Sequence, residues 1–241
     1  MSITPTNEEE KRRIKLMIKD IEGKDVLATV LRETLGAVPV IGPGLTELVN
    51  LYIPSSSFEK LLDFAIQTKL DLNGLGARVN QDYLKTDAAA FMVKDVFREV
   101  SRNYRKEKLD ALRGAFLNSV INSSRDDNRK ELYLKMLEGM THLHLILLSL
   151  CYDPGAFVTR RGFTGIGSGS SGSALMVTLE ACLPELDRNQ ISVLWNDLNS
   201  VGILNGDDST LRGISSDTSL QQVRGRLTSF GNDFALFVSH P

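Results

Sequence analysis

Four groupings of residues in this chain have types and spacings that could do chemistry. His142 and His144 flank Leu143, and imidazoles ligate metals and move protons. On a helix, however, residues two apart point in different directions. No Cys, Asp or Glu nearby completes a metal set, so packed or capping histidines are expected. Gly167-Ser-Gly-Ser-Ser-Gly172 has the form G-x-G-x-x-G, which cradles a dinucleotide pyrophosphate when a strand precedes it and an acid follows about 20 residues on. Asp187 is suitably placed, but Arg161 to Ile166 make a poor strand. A flexible loop is the reading, with phosphate capture at the following helix N-terminus physically open. Arg98, Arg102, Arg105, Lys106 and Lys108 cluster around Tyr104 and form a candidate phosphate or nucleic-acid patch. Glu99, Glu107 and Asp110 interleave with them, which favours a solvated face. The carboxylate pairs Asp126-Asp127 and Asp207-Asp208 fall between helical patterns, where capping and turn formation are the ordinary roles. No G-x-S-x-G elbow is present. The sequence therefore supplies no catalytic, cofactor-binding or metal residues, and a protein without enzymatic activity is expected.

The elements that would position these residues are mostly helices. Asn7 and Glu10 suggest a capping box for a charged helix with Ile14, Met17 and Ile21 on one face. A second helix is expected over residues 25–35. Ser56 and Glu59 open another, with Phe58, Leu61, Leu62 and Ile66 as its stripe. The middle of the chain is the most regular. Val93, Val96, Phe97, Val100 and Tyr104 form one stripe, Leu109, Leu112, Phe116 and Val120 a second, and Tyr133, Met136, Leu137 and Met140 a third. Short polar links between them favour an antiparallel bundle. Residues 141–150 are apolar nearly all round, as in a central core helix, and are too few to span a bilayer, which needs ~20. Asp153-Pro-Gly reads as a turn leading into a glycine–serine linker or loop over residues 153–173.

One segment breaks the regularity. Residues 35–53 are strongly apolar yet contain three glycines, two prolines and Glu47. Pro39 and Pro43 cannot lie inside a helix, so the segment reads as a broken hairpin. Val38, Ile41, Leu45 and Leu48 are its candidate membrane- or partner-facing residues. A carboxylate such as Glu47 costs about 2.5–3.5 kcal/mol at a bilayer centre, so packing in the bundle is favoured over insertion.

Composition sets the wider bounds. The chain has 241 residues, 42% hydrophobic and 24% charged, with a formal net charge of -2. That balance gives no global pull toward nucleic acid or anionic lipid. The first eleven residues are polar, so no secretory signal is read. Two cysteines, Cys151 and Cys182, suit free buried thiols in a reducing cytoplasm. Residues 1–150 hold 22 Lys and Arg against 21 Asp and Glu, whereas residues 151–241 hold 6 against 9.

The C-terminal region resembles a winged-helix unit over residues 174–241. The residues carrying the resemblance are Val193, Leu194 and Leu198, then Val201-Gly202-Ile203-Leu204, and later Leu227-Thr228 with Gly231. It implies helices over 174–183 and 187–201, a short strand at Ile203-Leu204 turning at Asn205-Gly206, and a return strand at Val223 to Leu227. A last helix would follow, capped by Thr228 or Ser229 and burying Phe230, Phe234 and Phe237. The helix ending near Val201 would be the recognition helix, presenting Arg188, Asn189, Gln190, Ser192 and Asn196. It carries one basic residue beside Asp187 and Asp197. Duplex binding needs phosphate neutralisation, so a protein-binding role is favoured.

The fold expected is mainly α: a multi-helix bundle over residues 1–152, the linker over 153–173, and a small winged-helix-like α+β unit over 174–241. The expected function is a protein–protein interaction or regulatory component of a bacterial assembly, with a protein partner or self-association and no cofactor. Two rivals are a membrane-active toxin or defence effector using residues 35–53, and a DNA-binding regulator using residues 187–227 together with the central basic cluster. The acidic C-terminal third disfavours nucleic acid.

Overall fold

A computed structural model of the chain describes residue 12 and residues 55–121, 126–163, 175–206, 208–213 and 219–241. The apolar segment 35–53, with Val38, Ile41, Leu45 and Leu48, lies outside them, as does the Gly167–Gly172 motif. The described residues are mainly α-helical and contain no β-strand. None of their helices is by itself long and apolar enough to cross a membrane. Contacts divide the chain into two compact units, Met1–Glu138 with Val238–Pro241, and Gly139–Phe237.

In the first unit, helices α1 (Ser55–Leu75), α2 (Asp87–Arg102) and α3 (Lys106–Ile121) pack on one another in pairs. A fourth helix, α4, spans Asp127–Gly139. Helix α2 starts where Thr86 turns extended and its hydroxyl accepts the Ala89 N–H at 3.2 Å. It stops at Asn103, whose side-chain amide donates to the Glu99 carbonyl at 2.8 Å. Its stripe of Val93, Val96, Phe97 and Val100 is buried, and Phe97 meets Phe64 of α1 edge-on at 5.3 Å.

Two residues depart from the expected stripes. Tyr104 lies past the end of α2 and is 70% exposed. Lys108, rather than Leu109, is the buried residue at the start of α3. Its ammonium donates to the carbonyls of Leu137 and Glu138, which are orphan acceptors in the last turn of α4. The chain ends within this unit. A side chain at Gly114 would collide with the Val238 carbonyl oxygen, and Asn118 donates to the Ser239 carbonyl at 2.7 Å.

The second unit contains α5 (His142–Tyr152), α6 (Pro154–Arg160), α7 (Leu175–Cys182), α8 (Arg188–Ser200), α9 (Asp208–Arg212), α10 (Ser219–Arg224) and α11 (Ser229–Val238). Helix α5 packs on α6, α8 and α10, and α7 packs on α8, α9 and α10. The apolar run of α5 is core, with Leu145, Ile146, Leu147, Leu148 and Leu150 buried.

The Asp153-Pro-Gly turn is corrected: it starts helix α6. Asp153 accepts the Ala156 N–H at 3.0 Å and Pro154 takes the first helical position, where its missing N–H costs nothing. The return strand is corrected too, because Val223 and Arg224 end helix α10. The only β pairing among the described residues is one antiparallel bridge, Leu204 with Leu227. It is flanked by Asn205 N–H to Arg226 O at 2.8 Å and Thr228 N–H to Ile203 O at 3.0 Å. Helix α8 stops at Gly202, which adopts a positive φ of 77°. Thr228 caps α11 by accepting the Gly231 N–H at 2.8 Å, and a side chain at Gly231 would collide with the Ile203 carbonyl oxygen.

Candidate functional site

The basic cluster lies where α2 ends and α3 begins, and most of its charge is committed internally. Arg98 bridges Asp95 at 2.9 Å and Glu138 at 3.2 Å. Arg102 lies 3.5 Å from Glu99, and Lys106 pairs with Asp110. Burial pushes the Asp95 carboxyl up, with Arg98 opposing. Lys108 is 2% exposed. Burial pulls its ammonium down to about 8, opposed by Glu99 and Glu138. Arg105 stacks on Tyr104, 4.9 Å from the ring centre. Four of the five cations thus have acidic or carbonyl partners.

Two polar residues at the start of α8 are engaged locally. Arg188 donates to both carboxylate oxygens of Glu180, at 2.9 and 2.8 Å. Gln190 and Asp187 form a reciprocal capping box. Asn189 and Asn196 are exposed and Ser192 is half-buried.

His144 acts as a cap, and His142 is half-buried beside it. The Thr141 N–H donates to His144 Nδ1 at 3.1 Å, and the Thr141 hydroxyl lies 2.8 Å from the same nitrogen. With Nδ1 accepting, the ring hydrogen sits on Nε2, which faces Asp197 Oδ2 at 3.2 Å. The order hydroxyl–imidazole–carboxylate is that of a nucleophile with its base and orienting acid. Here the backbone N–H already holds the imidazole lone pair, so the ring cannot take the hydroxyl proton. The arrangement joins the start of α5 to α8.

Cys151 and Cys182 are free and buried. Burial pushes their thiols up to about 12 and about 11, which keeps them protonated and unreactive. Among the described residues no group of three His, Cys, Asp or Glu is placed to hold a metal.

The first unit carries one concave surface that the sequence patterns do not reveal. A cavity of about 340 Å³ opens between the turn at Tyr83, the first half of α2 and the first turns of α4. Tyr83, Ala88, Phe91 and Met92 give it an apolar lining, and Asp87, Asp127 and Glu131 bring carboxylates to it. Lys130 also lines it, with its ammonium 2.8 Å from Asp127 and 4.0 Å from the Tyr83 ring centre. Burial, and then Asp127, pushes the Tyr83 phenol up to about 12, so it remains a neutral aromatic wall. Phe91 is 45% exposed and Leu132, on α4, is 48% exposed. The volume is at the small end for a ligand pocket. Phe91 falls off the buried stripe of α2, and a large aromatic at a solvent-facing position was the available signal.

Comparison with protein-family models, curated proteins and solved structures finds no match.

Proposed function

We propose that this protein is a non-enzymatic interaction component that binds a protein partner through the groove of its first unit. The observation that carries the reading is Phe91, a large aromatic left exposed in a concave surface beside Met92 and Tyr83. Aromatic anchors in partly desolvated pockets dominate protein–protein binding energy. The internal pairing of the basic cluster, and of Arg188 with Glu180, favours this role over phosphate or duplex binding. A cytoplasmic setting suits the two free thiols.

The second unit is read as a reduced winged-helix-like module that serves packing rather than nucleic-acid contact. The antiparallel bridge between Leu204, after α8, and Leu227, before α11, supports that reading, with helices α9 and α10 between the two bridge residues; so do the pairing of Arg188 with Glu180 and the Asp187–Gln190 capping box.

The test is a photo-crosslinking amino acid at position 91, compared with one at the exposed Tyr104. Protein adducts from position 91 and few from position 104 are expected. Equal yields at both positions, or none at either, would overturn the reading.

A further inference from the structure

We draw no further inference here: the strongest candidate, the exposed apolar surface of Phe91 at the groove between α2 and α4 of the first unit, belongs to the site already described, and nothing in the structure shows what covers it.

Discussion

The N-terminal half of α2 and the face of α8 are both helical surfaces with charged and polar side chains, but they use them differently. On α8, Arg188 is held by Glu180, Gln190 closes a capping box with Asp187, and Asp197 faces His144. Beside α2, Asp87 heads the helix, and Phe91 projects next to Met92 with little to cover it. Residue type alone does not mark a binding surface. What matters is whether local structure has already claimed the polar groups and whether an apolar side chain is left uncovered.

Substitutions can break that contrast, because the α8 side should read out in stability and the α2 side in association. The largest effect is expected at Gly231→Ala, whose new methyl meets the Ile203 carbonyl beside the β bridge. Overpacking of this kind costs about 1–3 kcal/mol. Chemical denaturation should show it, whereas Gly74→Ala, with nothing within 4 Å, should be neutral or stabilising by up to about 1 kcal/mol. Next comes Phe91→Lys, expected to weaken association at least tenfold, about 1.4 kcal/mol, while stability changes by no more than about 0.5 kcal/mol. A matching loss of stability would erase the contrast.

Thr141→Ala should cost about 1 kcal/mol of stability through the lost cap and leave association unchanged. The remaining effect is a pH dependence. Lys108 binds its proton less tightly when folded, at about 8 against an ordinary 10.5. Between these values the unfolded chain holds more protons, so stability should rise with pH across that window. Below about 8 the penalty is constant, and above 10.5 it vanishes. Lys108→Met should flatten that rise in denaturation curves measured from pH 7.5 upward.

The helices were legible in sequence wherever a stripe repeated, as in Val93, Val96, Phe97 and Val100. Errors arose where one residue type serves two roles. Asp153-Pro154 signals either a turn or a helix start, and the capped helix that follows decided it. Lys108 looked like surface charge, yet its stem is buried and its ammonium caps α4 from a partner about thirty residues away in sequence. Val223 to Leu227 reads as the return strand of a hairpin begun at Ile203-Leu204, but Val223 is buried on a helix. The groove was invisible because Tyr83, Phe91 and Glu131 come from three elements, each ordinary by itself. Only the position of Phe91 off its stripe hinted at it.

The most direct measurement is methionine-methyl NMR of the intact chain with and without the protein crosslinked at position 91. Of the six methionines, Met92 lines the groove and Met176 is buried in the second unit. Met92 should shift when that protein binds, with Met176 fixed. Association that leaves Met92 unmoved would contradict the account.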